Sequence, residues 1–106
     1  MIKQILMGKK IPEKSLEEFK KYYIEEHAPL IMKTLPQVRK YTLNFPIGRP
    51  GKENIFDFVT EVWWDDVDAA RNFFKSDLYK NVIQPDEVKL GILSGQGPCF
   101  EEFVQK

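Results

Sequence analysis

The segment 56–64 constrains the fold of this 106-residue chain more than any other part of its sequence. Successive side chains of a β-strand point to opposite faces, and this segment places large apolar residues on both faces. One face holds Phe56, Phe58, Val62 and Trp64. The other face holds Val59 and Trp63. A strand that is apolar on both faces is normally covered on both faces, so we expect one layer above it and another below it.

Three further segments are compatible with β-structure. They are residues 2–7, 38–45 and 99–104. Residues 46–53, with glycine and proline at their centre, are predicted to form the hairpin loop between the second and third strands. Residues 85–97 contain a proline and three glycines in a mixed composition, and we expect a linking segment there.

The first predicted helix begins at Ser15, because Glu18 follows three residues later and the two side chains can form a capping box. Pro29 cannot donate a helical hydrogen bond and disfavours helical geometry in the residue before it. We therefore expect the helix to break or kink at His27–Ala28, with a further turn over residues 30–35.

A second helix is predicted over residues 67–75, with Asp65 or Asp66 as its N-cap. The resulting order, β-α-β-β-α-β, is the split βαβ arrangement of α+β ferredoxin-like domains. It predicts one domain over residues 1–106, with a four-stranded antiparallel sheet and two main helices on one face. A second copy of the sheet is the simplest cover for the other face, so we expect a homodimer through sheet-to-sheet packing.

Charge and cysteine content limit the classes of partner and cofactor. Sixteen basic and sixteen acidic residues cancel, which argues against nucleic acid and anionic membranes as partners. The N-terminus lacks the apolar run of a signal peptide, and the lone Cys99 suits a reducing compartment, so we expect a cytoplasmic protein. With one histidine and one cysteine, we expect no metal site and no cofactor.

His27 is the first candidate for chemistry. It is the only histidine and lies one helical turn after Tyr23 on the apolar face of the first helix. An imidazole beside a phenol can act as a general acid or base near neutral pH. The alternative is a histidine that caps the helix end or fills the core.

Three segments of the chain resemble one known family. Residues 22–30 are YYIEEHAPL, residues 35–41 are LPQVRKY and residues 58–66 are FVTEVWWDD. This pattern resembles the EthD family, in which an aromatic-rich helix ends in His-x-Pro-Leu and a Pro-Gly-hydrophobic-Arg-x-Tyr segment leads into a strand. Gln37 stands where that family usually has glycine.

The resemblance implies a dimeric α/β barrel in which each subunit keeps a pocket between its sheet and its helices. The family histidine that matches His27 lines the pocket as a presumed acid or base, and Tyr23 is its predicted catalytic neighbour. Tyr41 and Asn44 are predicted substrate contacts. Residues 85–97 match the family only loosely, so the resemblance gives no basis for adding acidic residues from that segment.

The adjacent Trp63 and Trp64 point to opposite faces of the third strand. One of them is predicted to form the floor of the pocket, and the other to lie in the dimer interface. We place Trp63 in the pocket as a substrate contact. The alternative is that both are ordinary core residues.

Three functions follow from the resemblance. The first is a cofactor-independent cyclase, dehydratase or isomerase that acts on an aromatic or polyketide-like molecule through His27. The second is a non-catalytic dimer that binds an apolar small molecule or supports an oxidative degradation pathway. The third is a haem-binding or monooxygenase-like protein.

Overall fold

The computed structural model describes residues 2–106. Within them the strands are β1 (Ile2–Lys10), β2 (Lys40–Asn44), β3 (Phe58–Trp64), β4 (Ile92–Gln96) and β5 (Cys99–Glu101). The α-helices are α1 (Leu16–Tyr22), α2 (Ala28–Thr34), α3 (Val67–Lys75) and α4 (Gln84–Leu90). Two π-helical segments, Tyr23–His27 and Tyr79–Ile83, lead directly into α2 and α4.

The strands form one antiparallel sheet in the order β2-β3-β1-β4. Both β4 and the short β5 pair with β1. β5 pairs with the first residues of β1, and β4 pairs with the last residues of β1. The predicted α+β ferredoxin-like fold is therefore confirmed, with five strands in place of four. β5 is short because Pro98, which has no N–H group, interrupts this edge of the sheet just before it.

All the helices pack on one face of the sheet. That face of β3 presents Phe58, Thr60, Val62 and Trp64, which are buried. Val62 and Trp64 belong to a core cluster with α2, α3 and the second π-helical segment. Phe58 packs with Phe19 and Tyr23 of the first helix and with Leu90 of α4.

Of the predicted break or kink at His27–Ala28, the break is wrong, since residues 16–34 form one continuous helix. The N–H of Ala28 donates to the carbonyl of Tyr23, five residues back, so the helix widens by one residue into a π turn. The widening lets Pro29 enter without breaking the helix, because proline lies in the first turn of α2, where an N–H group is not needed.

The prediction that residues 85–97 only link other elements is also wrong. Pro85 lies in the first turn of α4, and Gly91, in the left-handed conformation with φ 93°, ends that helix. The chain then turns at once into β4, which is longer than β5, and β5 covers only Cys99–Glu101 of the strand predicted over residues 99–104. α4 carries two acidic residues, Asp86 and Glu87, toward the first π-helical segment.

Candidate functional site

A cavity of about 450 Å³ lies between the sheet and the helices. This volume falls within the roughly 300–1,000 Å³ typical of pockets for small ligands. Aliphatic and aromatic side chains from all four long strands and from the helices form most of its wall. Its polar side chains include those of Tyr23, His27, Tyr41, Tyr79 and Glu87. Such a space suits a largely apolar small molecule held by a few polar groups.

His27 lies at the end of the first π-helical segment and lines this cavity, with only 4% of its surface exposed. Its Nδ1 atom is 2.7 Å from Oδ2 of Asp86 in α4. Because an ionised carboxylate can only accept, Nδ1 carries the proton that faces Asp86, and in the neutral imidazole the lone pair lies on Nε2. The edge of the Tyr23 ring meets the imidazole ring, with centroids 5.5 Å apart.

Asp86 is fixed by two donors. Its Oδ1 accepts a hydrogen bond of 2.7 Å from the hydroxyl of Tyr22, while Oδ2 faces His27. Partial burial opposes ionisation, but these hydrogen bonds outweigh it and lower the pKa of Asp86 below its ordinary value. The carboxylate is therefore ionised at neutral pH and can stabilise a positive charge on His27.

Two phenols stand beside the histidine on the wall of the cavity. The hydroxyl of Tyr23 is 2.7 Å from the hydroxyl of Thr60 on β3. Burial raises the pKa of Tyr23 to about 12. Burial, followed by the proximity of Tyr23, raises the pKa of Tyr41 well above its ordinary value. Both phenols thus stay protonated near neutral pH and serve as hydrogen-bonding groups.

Glu87 follows Asp86 and lines the same cavity. Its Oε1 atom is shielded from solvent and has no hydrogen-bond partner anywhere in residues 2–106. Burial raises the pKa of Glu87. Hydrogen bonding by Tyr79 and electrostatic interaction with His27 oppose this rise. A second carboxyl group with hydrogen-bonding capacity to spare therefore stands beside the histidine.

Gln4 and Trp64 form a polar contact in the wall near β1. The indole N–H of Trp64 donates to Oε1 of Gln4 at 3.0 Å, and the Gln4 amide donates to the carbonyl of Gly97 at 2.9 Å. Both side chains are buried. The contact satisfies the tryptophan in the cavity wall and ties β1 to the segment before β5.

Three of the predicted site residues meet in the cavity, namely Tyr23, His27 and Tyr41. Asn44 is not with them, because its place on β2 turns it to the opposite face of the sheet. There its amide donates to the carbonyl of Val59 at 2.9 Å and to Oε1 of Glu61 at 3.1 Å.

Trp63 also lies on the opposite face of the sheet, and Trp64 is the tryptophan that lines the cavity. The indole N–H of Trp63 donates to Glu102 at 2.9 Å. The ammonium groups of Lys3 and Lys40 lie 5.0 and 4.8 Å from the centre of its ring. Trp63 thus belongs to a mixed polar and aromatic surface and not to the cavity wall.

The acidic residues of α4 were missed by the reasoning from sequence. A helical signal was available, since Pro85 followed by acidic residues and ended by Gly91 is typical of a short helix. Nothing in the sequence, however, pairs Asp86 with His27. The partners are 59 residues apart, and only the packing of α4 against the first helix joins them.

Two kinds of feature are absent from the part of the chain that the structure describes. Among residues 2–106, no group of three or more histidine, cysteine, aspartate or glutamate side chains is placed to hold a metal ion. No helix in that range combines the length and the apolar character needed to cross a membrane.

Comparison with known proteins decides the family. The model of the EthD domain matches residues 11–90, which include both π-helical segments, His27 and Asp86. The chain belongs to the EthD family. No curated protein matches its sequence.

Solved structures agree with this EthD fold. An EthD family protein from Bacillus halodurans is 25% identical, with a TM-score of 0.74 over 97% of this chain and 99% of that one. A dimeric protein of unknown function and ferredoxin-like fold from Bacteroides fragilis is 14% identical, with a TM-score of 0.66 over 95% of both chains. SnoaB, a cofactor-independent oxygenase from Streptomyces nogalater, is 14% identical, with a TM-score of 0.65 over 99% of this chain and 97% of that one. The last two likenesses concern the fold alone.

Proposed function

We propose that this EthD domain is a small cofactor-independent enzyme of the cyclase, dehydratase or isomerase type. Its substrate is an aromatic or polyketide-like molecule, and His27 is its general acid and base. The observation that carries the proposal is the His27–Asp86 pair, 2.7 Å apart, at the wall of an apolar cavity of about 450 Å³. A carboxylate that orients a histidine is a recurrent arrangement for proton transfer.

In the proposed step, the lone pair on Nε2 of His27 removes a proton from a carbon atom next to a carbonyl group of the substrate. The electrons of the broken C–H bond move into the enolate, and Asp86 stabilises the imidazolium that forms. The imidazolium returns its proton to another carbon atom in an isomerisation. It gives the proton to a departing hydroxyl group in a dehydration, or to the new alkoxide after the enolate attacks a second carbonyl group in a cyclisation.

Tyr23 is the second proposed catalytic group. Its phenol, with a pKa of about 12, keeps its proton near neutral pH and can donate a hydrogen bond to the enolate oxygen. Thr60, 2.7 Å away, can donate to the phenol in turn. Tyr41 is proposed to contact the substrate from β2. The positions of Asn44 and Trp63 on the other face of the sheet remove them from this proposed site.

A screen of aromatic and polyketide-like molecules, read by thermal shift and then by turnover, tests the proposal. Its central variant is His27→Gln, which keeps a polar side chain of similar reach. We expect binding to persist and turnover to fall about 10²–10⁴-fold, the usual contribution of a general acid–base group. Asp65→Asn, at an exposed carboxylate outside the cavity, is the control and should leave turnover unchanged. Equal turnover in wild type and His27→Gln contradicts the proposed role.

Binding without turnover is the second candidate function. It is favoured by the wall of the cavity, where the phenols of Tyr23 and Tyr41 stay neutral and His27 is the only histidine. A tight ligand from the same screen that returns unchanged after prolonged incubation would select this carrier function over the enzyme.

The proposal includes a homodimer through the sheet face opposite the helices. The dimeric ferredoxin-like neighbour from Bacteroides fragilis supports self-association. On this face Lys3 pairs with Glu61 at 2.6 Å and with Glu102 at 3.0 Å, so its central charges are already paired for burial. Sedimentation should give a dimer for the wild type and a monomer for Val59→Asp, which adds an unpaired charge to this face. A monomeric wild type contradicts the dimer.

A further inference from the structure

The unsatisfied carboxyl group of Glu87 suggests which ligands the cavity selects. Buried polar atoms in proteins are nearly always hydrogen-bonded, and an exception calls for an explanation. Oε1 of Glu87 is such an exception within residues 2–106. The Trp64 indole and the Gln4 amide, which also line the cavity, have protein partners. Glu87 is thus the acidic group of the wall with an unused hydrogen-bonding position.

The position of Glu87 makes this unused capacity available to a ligand. The side chain lines the cavity that His27 also lines, and α4 packs against the π-helical segment that carries His27. The last torsion of a glutamate side chain is broad, so rotation about it can turn either oxygen toward the cavity. A ligand that contacts His27 therefore lies within the reach of Glu87.

The groups that act on Glu87 come from several elements. They are Tyr79 on the second π-helical segment, His27 and Tyr23 on the first, Tyr41 on β2 and the neighbouring Asp86. The phenols stay neutral near neutral pH, and the ionised Asp86 is a negative charge beside Glu87. Within residues 2–106 no arginine or lysine forms an ion pair with the Glu87 carboxyl group.

We infer that Glu87 is a specificity-determining residue that anchors a hydroxyl group of an aromatic ligand through its unpartnered carboxyl oxygen. This inference rests on the proposed use of the cavity as a small-molecule site and adds the ligand class, a phenol or an enol. A hydroxyl group donates to an ionised carboxylate and can also accept from a protonated carboxyl group. It therefore fits Glu87 in both protonation states, whereas a carbonyl group fits only the protonated state.

Two probes that differ by one hydroxyl group test the inference, namely 2-naphthol and naphthalene. Their dissociation constants are measured for wild type, Glu87→Gln and Glu87→Leu, with Glu25→Leu as a control on the exposed side of the first helix. In the wild type and the control, 2-naphthol should bind about tenfold more tightly than naphthalene, the usual scale of one buried hydrogen bond. The advantage should vanish in Glu87→Leu and be partly kept in Glu87→Gln, whose amide oxygen still accepts.

A second measurement uses the unaltered protein and does not depend on the folding of a variant. In wild-type chain labelled with carboxyl-¹³C glutamate, 2-naphthol should shift the Glu87 resonance, and naphthalene should leave it in place. The inference is overturned if the hydroxyl group gives no advantage in the wild type, including the case in which neither probe binds. It is also overturned if the advantage survives in Glu87→Leu.

These outcomes separate the inference from the proposed function. The experiment measures binding and does not require turnover. A protein in which His27→Gln leaves turnover unchanged can still show the hydroxyl advantage at Glu87. Conversely, equal binding of the two probes rejects the role of Glu87 and leaves His27 as a candidate acid–base group.

Discussion

Two helical segments flank the cavity, and each contains a π turn before a proline. They differ in the side chains that these π turns place at the cavity. The first runs over residues 16–34 and the second over residues 67–90. In each, a π turn precedes a proline: Ala28 donates to the carbonyl of Tyr23, and Gln84 donates to that of Tyr79. The first segment is one continuous helix, whereas the second is interrupted at Ser76, which has extended backbone.

The difference lies in what each π turn places at the cavity. The first segment carries His27, the proposed base, and buries an aromatic face against the sheet. The second segment brings two carboxyl groups, those of Asp86 and Glu87, against that base. Because single-turn π bulges are frequent at functional sites, the pair of them beside one cavity supports the assignment of the site. One segment thus supplies the only histidine of the cavity wall, and the other sets the charge environment of that histidine.

The largest expected effect is a loss in the free energy of unfolding when a buried side chain of either segment is truncated. Phe19 of the first segment is fully buried, packs edge to face with Tyr23 and at a tilt with Phe58, and lies away from the cavity wall. We expect Phe19→Ala to lower the free energy of unfolding by about 3–5 kcal/mol. Ile83 of the second is 2% exposed but borders the cavity, so fewer contacts are lost and Ile83→Ala should cost roughly 2–3 kcal/mol.

Urea unfolding of both variants checks this ranking. An equal or larger cost at Ile83 would mean that the second segment is packed as tightly as the first and that the cavity closes around it in solution.

The next effect concerns the contact between the two segments. In Asp86→Asn the amide replaces a carboxylate that is 15% exposed and holds His27 and Tyr22. We expect a loss of about 1–3 kcal/mol at pH 7, the scale of hydrogen bonds to a charged group. The folded state lowers the pKa of Asp86, so this stabilisation is complete above the unfolded pKa and is lost as pH falls through the folded pKa. The difference between wild type and variant should therefore shrink below about pH 4.

The matched control is Asp65→Asn. Asp65 also has a lowered pKa, through a hydrogen-bonded pair with Arg39, but the two side chains are 52% and 54% exposed. Exposed pairs contribute little, so its effect should be clearly smaller than that of Asp86→Asn at pH 7. Equal losses in the two variants would show that the His27–Asp86 contact has no special role in stability.

The smallest expected effect follows replacement of the two prolines, and it tests whether proline or side-chain packing determines the two π turns. Pro29→Ala and Pro85→Ala should each cost about 0.4–1 kcal/mol, because alanine frees the unfolded chain. The amides of Ala28 and Gln84 should keep their protection in hydrogen exchange, since buried side chains on either side of each turn fix the register. A stabilised variant with a newly protected amide at the substituted position would show that proline had imposed the π turn.

Much of the architecture was predictable from local signals. The capping box of Ser15 and Glu18 is present, and Asp66 caps α3 as expected. Alternation along the third strand predicted the buried Phe58, Val62 and Trp64, whereas Phe56, assigned to the same face, lies before β3 and is exposed. By contrast, Pro29 predicted a break or a kink, because a local rule for proline does not include the option of widening the turn before it.

The sequence by itself determined the fold class, the family and one candidate base. These depend on short-range patterns such as caps, alternation and the His-x-Pro-Leu element, which a chain displays without its tertiary partners. Only the tertiary structure decided the composition of the site. A strand rotates its neighbours to opposite faces, so the register of β2 and β3 removed Asn44 and Trp63 from the cavity. The packing of α4, 59 residues beyond His27, added Asp86 and, with it, Glu87.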